Sequence, residues 1–123
     1  MIILRSVPSE GVKDLPMSQY MRKFLHGKTV LGNATSAVLA YDGKELVGIF
    51  LYHYDPKYIE LTAQGTYVER RYRRQGIGTA MWRRAHRGKQ RGHTDVATVS
   101  RAGGLFVKRL ERVLGRVHHQ EIR

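Results

Sequence analysis

Two β-rich runs, SAVLAY at residues 36–41 and ELVGIFLYHY at residues 45–54, are separated by Asp42-Gly43-Lys44. Asp-Gly between apolar runs is a strong hairpin signal, because both residues tolerate the positive φ that a tight turn needs. A pair of antiparallel strands therefore anchors the middle of the chain. After Asp55-Pro56, the run YIELTAQGTYV alternates Ile59, Leu61 and Ala63 with Glu60, Thr62 and Gln64. That period of two describes a third, half-exposed strand, and Gly65 within it marks a bulge.

The flanking segments supply helices and further strands. An apolar run at residues 2–4, ended by Pro8 and Gly11, suits an opening strand. Met17, Tyr20, Met21, Phe24 and Leu25 recur at helical spacing, with Ser18 or Asp14 available as a cap. From Gly76 to about Gln90, the residues Ile77, Ala80, Met81 and Ala85 share one helical face. A short strand is expected at residues 95–99, a helix at 104–114 with Gly115 as its C-cap, and a last strand at 116–122. The order β, α, β, β, β, α, β, α, β gives an α+β class with a mixed sheet of about six strands and three helices. At 123 residues, the expectation is a single domain over positions 1–123.

Charge is distributed unevenly along this order. Residues 1–69 hold seven Lys/Arg and seven Asp/Glu, whereas residues 70–123 hold 15 and three, so the whole net charge of +12 lies in the second part. An anionic partner is implied there, whether a phosphorylated cofactor, nucleic acid or another acidic surface. The chain has no cysteine, which excludes disulfides, thiolate metal sites and a cysteine nucleophile. No stretch approaches the apolar length of a membrane span and no signal-peptide core is evident, so a cytoplasmic location is the expectation.

The stretch Tyr67-Val68-Glu69-Arg70-Arg71-Tyr72-Arg73-Arg74-Gln75-Gly76-Ile77-Gly78-Thr79-Ala80 joins the third strand to the second helix. Backbone N–H groups converge on an anion in such a strand–turn–helix setting, two glycines let the main chain come close to a ligand, and arginines add charge. The residue types describe a pyrophosphate cradle. There is no Gly-Lys-Ser/Thr for a nucleoside triphosphate loop, and no βαβ unit of a dinucleotide fold.

Arg73-x-x-Gly76-x-Gly78, with Val68 five residues upstream, resembles the Arg/Gln-x-x-Gly-x-Gly/Ala signature of the GNAT N-acetyltransferase superfamily. The order of elements resembles that family's over roughly residues 35–123. The resemblance implies the GNAT fold with strands splayed at the cofactor site, and acetyl-coenzyme A as cosubstrate without a metal. It further implies that the main chain around Val68 bonds the pantetheine arm. The N–H groups of Arg74, Gln75, Gly76, Ile77, Gly78 and Thr79 would hold the pyrophosphate, with added charge from Arg73 and Arg74. An amine of a small molecule or protein would attack the thioester directly.

For the proton transfers, Glu60 is the candidate base, because family bases often come from this strand, and Ser100 the candidate acid or donor. Glu69 is expected to pair with a neighbouring arginine. His53, His118 and His119 have suitable acid–base chemistry, although adjacent His118 and His119 point to opposite faces of a strand and make a poor metal pair. Two family features have no counterpart: no tyrosine precedes Gly115, and Ser100-Arg101-Ala102-Gly103 stands where an asparagine is frequent. These departures define the alternative, a GNAT-fold basic binding or assembly module with weak or no catalysis, such as a viral accessory or virion protein. Arg83, Arg84, Arg87, Lys89 and Arg91 exceed what a coenzyme's phosphates require and point to nucleic acid or an acidic protein, while Tyr72 and Trp82 are too few for base stacking. Domains of this family often dimerise, so a homodimer is a further expectation.

Overall fold

The computed structural model describes residues 1–26, 34–57, 60–86, 93–98 and 117–121. Its elements in chain order are β1 (Ile2–Pro8), α1 (Gln19–His26), β2 (Ser36–Asp42), β3 (Glu45–Asp55), β4 (Glu60–Val68), α2 (Ile77–His86), β5 (His93–Thr98) and β6 (Val117–Glu121). The strands form one sheet in the order β1-β2-β3-β4-β5-β6. Pairings from β1 to β4 are antiparallel, and β4–β5 and β5–β6 are parallel. The sheet is therefore mixed, as the element order implies. The helix expected at 104–114 lies outside the described residues, as do Tyr58, Ile59 and residues 87–92 of the expected strand and helix ends.

The Asp-Gly turn forms as anticipated: Asp42 pairs with Glu45, and Gly43 takes a φ of 61°. The middles of β2 and β3, residues 37–40 and 46–52, are buried, because a helix covers each face of the sheet. On one face, α2 packs Ile77, Met81, Trp82 and Ala85 onto Val38, Val47, Phe50 and Leu61. On the other, α1 contributes Met21 and Leu25 against Leu39, Leu46, Ile49 and Leu51. Each of the Val, Leu, Ile, Phe and Met side chains so withdrawn from water stabilises the fold by about 1.5–3 kcal/mol.

Gly48 brings α2 close to the sheet. A Cβ at that position would lie 3.2 Å from Met81 Cε, 3.3 Å from Ala40 Cβ and 3.4 Å from Ile77 Cγ2, so the helix occupies the space a side chain would need. Trp82 seals the neighbouring part of this layer. It is 2% exposed, its ring lies 4.6 Å from Phe50, and its indole N–H donates to Thr66 Oγ1 at 3.0 Å. Trp82 is a core residue, and nothing of its ring is offered for stacking.

Two bulges set which residues face which helix. Val47 is extra between the pairs Ala40–Gly48 and Tyr41–Leu46, and Gln64 is extra between Leu51–Gly65 and Tyr52–Ala63. The bulge in β4 thus falls on Gln64, while Gly65 beside it stays paired. Before it, Leu61 and Ala63 face α2; after it, Thr66 and Val68 do, and Tyr67 turns to the α1 side to stack on Phe24 at 5.4 Å. One inserted residue shifts the period of two by a step and exchanges the faces.

Helix α1 starts where Ser18 caps it. Ser18 Oγ accepts from Met21 N–H at 3.1 Å, and Arg22 N–H donates to Ser18 O at 3.0 Å. Asp14 sits instead in a 3-10 turn (Val12–Asp14). Arg22 ties that turn to α1 by donating to Lys13 O at 2.9 Å and Leu15 O at 3.1 Å.

Candidate functional site

The site grows from the parting of two strands. β4 and β5 pair only from Glu60–His93 to Ala63–Val96. Beyond that point, among the described residues, residues 65–68 of β4 pair with β3 alone, while Ala97 and Thr98 of β5 pair with β6 alone. The Gln64 bulge lies where they separate. A wedge opens there, and it leaves main-chain groups of β4 without a partner strand on that side.

The chain leaves β4 through a compact turn. Glu69 N–H donates to Val47 O at 2.8 Å, extending the contact with β3 past the strand's end. A 3-10 turn (Arg70–Tyr72) follows, closed by Tyr72 N–H on Glu69 O at 2.8 Å. Arg74 then takes a φ of 64° and Gly76 one of 82°. A left-handed conformation costs a non-glycine residue roughly 1–2 kcal/mol, so Arg74 is held there by its surroundings. At Gly76 a Cβ would meet nothing within 4 Å, and the main chain borders open space.

Helix α2 begins at this exposed backbone. Its first intrahelical bond is Ala80 N–H to Gly76 O at 2.9 Å, so the N–H groups of Ile77, Gly78 and Thr79 have no intrahelical carbonyl to meet. Together with the helix dipole they form a concentrated positive end suited to a phosphate.

The loop's arginines divide into two groups. Arg71 ion-pairs with Glu45 and lies over the Tyr72 ring at 5.0 Å. Arg73 donates from Nε to Val68 O at 2.8 Å and lies over the Tyr67 ring at 5.6 Å. Arg70 and Arg74 have no hydrogen-bond or ion-pair partner among the described residues. Gln75 is exposed and turns its side-chain amide inward, donating to Arg71 O at 3.3 Å.

Tyr72 fastens the same loop to the β2–β3 turn. Its hydroxyl donates to Asp42 Oδ2 at 2.7 Å and lies 3.5 Å from Glu45 Oε2. That bond is the main reason the Asp42 carboxyl titrates below its ordinary range, and it also holds the Tyr72 hydroxyl above its own. The clamp of Asp42, Glu45, Arg71 and Tyr72 was not apparent from motif spacing.

A second polar group lies on the α1 side of the β4 end. Glu69 accepts from Ser18 Oγ and from the Tyr67 hydroxyl at 3.4 Å. Among the described residues it makes no ion pair with an arginine, contrary to expectation, because the capping serine of α1 reaches it instead. Burial, and secondly the nearby Glu69 charge, push the Tyr67 hydroxyl up.

Of the other expected residues, Glu60 opens β4 opposite Asp55 and His93, at the closed end of the β4–β5 pairing. Ser100 lies outside the described residues, as do Arg87, Lys89 and Arg91. His53 is bonded to Thr35 Oγ1 through Nδ1 at 3.0 Å. His118 and His119 occupy β6 opposite Asp95 and Val96. No cluster of metal-ligating side chains occurs among the described residues. No helix among them is long and apolar enough to cross a membrane.

A strand that bulges and parts from its parallel neighbour is thus followed by a left-handed turn and a helix N-terminus whose free N–H groups suit an anion. The model of the acetyltransferase (GNAT) family matches residues 4–103, and the chain belongs to this family. Among solved structures, it is similar to a GNAT-family acetyltransferase from Streptococcus pneumoniae TIGR4, with 20% identity, coverage of 100% of this chain and 98% of that one, and a TM-score of 0.63. A ribosomal-protein-alanine N-acetyltransferase from Brucella melitensis biovar Abortus 2308 matches at 16% identity over 92% and 90% of the chains, with a TM-score of 0.57. An acetyltransferase from Bacillus anthracis str. Ames, solved in complex with acetyl coenzyme A, matches at 10% identity over 73% and 68%, with a TM-score of 0.50. No curated protein sequence matches the chain significantly.

Proposed function

We propose that the protein is an acetyl-coenzyme A-dependent N-acetyltransferase that acts by direct attack of an acceptor amine on the thioester. The observation that carries this reading is the exposed backbone at Gly76, whose 82° φ and open surroundings leave room for a phosphate against the first turn of α2. The unpaired edge of β4 beyond Ala63 supports it, because an extended amide-bearing chain can add its own N–H and C=O groups there.

The N–H groups of Ile77, Gly78 and Thr79 would hold the pyrophosphate, with Gln75 and Gly76 contributing main chain at its rim. Arg74, exposed and without a partner among the described residues, is the arginine best able to add charge. Arg73 is engaged with Val68 O and Tyr67, so its contribution is to shape the strand end as well as to raise the local potential. The main chain around Val68 would take the pantetheine arm. Bound in this way, acetyl-coenzyme A supplies an activated acetyl thioester.

Attack requires a neutral amine, so the ammonium form of the acceptor must lose a proton. Glu60 is the base in this reading. It stands three residues before the strands part, roughly 10 Å at the rise of a strand, so proton transfer would run through a chain of several waters. The Glu69 carboxylate, held by Ser18 and Tyr67, offers a negative charge that orients an incoming ammonium. As the N–C bond forms and the C–S bond breaks, the nitrogen gives up a second proton, which reaches the departing thiolate by a relay through Ser100 or water. Proximity and orientation then carry most of the acceleration.

The Brucella melitensis neighbour acetylates an alanine of a ribosomal protein by its description, so a protein or peptide amine is within the range of acceptors to test. The test is thermal melting with acetyl-coenzyme A, followed by free-thiol release across a panel of small-molecule and peptide amines. A rise in Tm with donor and amine-dependent thiol release are expected. No rise at millimolar donor would refute the reading.

A further inference from the structure

Helix α2 has two flanks. The one carrying Gly78 and Trp82 looks toward β4, through the Trp82–Thr66 bond, and belongs to the donor site. The other looks toward β1. Between β1 and this flank runs an open cleft of about 680 Å³ lined by Leu4, Gly76, Thr79, Ala80, Arg83 and Arg84. Arg84 is fastened to β1, donating from Nε to Ser6 Oγ at 3.0 Å, and its terminal nitrogens have no partner among the described residues. Arg83 is exposed and likewise without a partner among them. Among the described residues no acidic side chain lines the cleft.

The strand that forms the other wall is an edge. Among the described residues, β1 pairs with β2 alone, so alternate residues along its seven positions turn N–H and C=O groups outward. Leu4 on this strand faces α2 and gives the cleft an apolar floor, whereas Ile3 is 50% exposed and Arg5, over the Tyr41 ring at 5.9 Å, lies on the α1 side of the sheet. An unpaired strand edge and a cleft sized for side chains, with Arg83 and Arg84 on its α2 wall, occur at one place.

From this juxtaposition we infer that the β1 edge and the adjoining flank of α2 bind an extended acidic peptide, which adds as a strand to β1 and sets its carboxylates against Arg83 and Arg84. Backbone pairing supplies affinity and register, and the arginines select for acidic side chains. A second copy of the chain is the less suitable occupant. Its own β1 would bring the same arginines against these, and like charges across paired strands are destabilising. A nucleic acid would use the charge but not the outward N–H and C=O groups or the apolar floor. The cleft borders the proposed donor site at Gly76 and Thr79, but the inference rests on the β1 edge, Arg83 and Arg84, which that site does not use.

Fluorescence anisotropy of a labelled seven-residue peptide alternating Glu with Val, titrated with the full chain, tests this. Binding is expected, and it should weaken between roughly 0.01 M and 1 M salt as the reach of charge falls from about 30 Å to about 3 Å. Arg83→Glu with Arg84→Glu should weaken it about tenfold or more, the scale of two lost and reversed exposed pairs. N-methylating alternate amides of the peptide removes strand pairing at constant charge and needs no protein variant; it should weaken binding to a similar degree. Saturating acetyl-coenzyme A should leave binding intact, and thermal melting of the double variant with donor reports separately on the donor site. Equal binding of the N-methylated peptide would overturn the inference, as would displacement by acetyl-coenzyme A or tighter binding of a single-stranded oligonucleotide of the same charge. Dimers that tighten with salt and exclude the peptide would give the edge to a second copy and overturn it equally.

Discussion

Replacing Gly76 with alanine isolates one physical cause. The position has a φ of 82°, and a Cβ there would touch nothing within 4 Å, so the substitution introduces backbone strain without a clash. The strain amounts to roughly 1–2 kcal/mol, and the stiffer unfolded chain returns about 0.4–1 kcal/mol of it. A net loss of about 1 kcal/mol remains, corresponding to a fall in Tm of about 3–6 °C for a chain of this size. Asparagine tolerates the left-handed region better than alanine and should lose less. Donor binding is read in the same instrument. Acetyl-coenzyme A at about 100 times its Kd should stabilise the wild type by about 2.7 kcal/mol. Gly76→Glu should abolish that increment, because it directs a carboxylate into the space proposed for the pyrophosphate. If Gly76→Ala melts with the wild type, the left-handed backbone is not required. If Gly76→Glu keeps the full donor increment, the phosphate site lies elsewhere.

Gly48→Ala tests the opposite cause, crowding, since its Cβ would press on Met81, Ala40 and Ile77 at 3.2–3.4 Å; a loss of about 1–3 kcal/mol in urea denaturation is expected, and a neutral result would mean α2 packs less closely than described. Ser18→Ala removes the cap of α1 and a donor to Glu69, and should cost about 1–2 kcal/mol, with Ser18→Thr recovering most of it. The Asp42 carboxyl, depressed mainly by the Tyr72 hydrogen bond and further by the N-terminal ammonium, contributes stability that is present above its ordinary value of 3.8 and is lost as pH falls through the lower folded value. The difference in urea midpoint between wild type and Tyr72→Phe should therefore be level near neutral pH and shrink below about pH 4; a difference that grows with acid would contradict the assignment.

The hairpin was legible because Asp42-Gly43 states its turn chemistry locally, and α2 was legible because Ile77, Met81 and Ala85 keep helical phase. The bulge was displaced by one residue for a physical reason: glycine is the obvious sign of a bulge, yet Gly65 keeps its pairing with Leu51 and the extra residue is Gln64. Trp82 sits among arginines in the chain, so its burial beside Phe50 was hidden by the charge of its neighbours. The partners within the site were less accessible still. Glu69 stands next to arginines but bonds a serine 51 positions away, and Tyr72 reaches an aspartate 30 positions away. Spacing along the chain reports elements and their periods; which polar groups meet across them depends on tertiary packing.

Short hairpin turns at the surface are the usual places to insert a tag or lengthen a loop, because few contacts depend on them. The turn between β2 and β3 departs from that rule. Asp42 and Glu45 at its two ends hold Tyr72 and Arg71, and through them the backbone that leads into Arg74 and Gly76. An epitope inserted after Gly43 would therefore act as a remote adjustment of the proposed anion cradle. Protein engineers looking for a permissive site on this scaffold should choose another turn, and those wishing to tune donor affinity without touching the glycines should begin with this one.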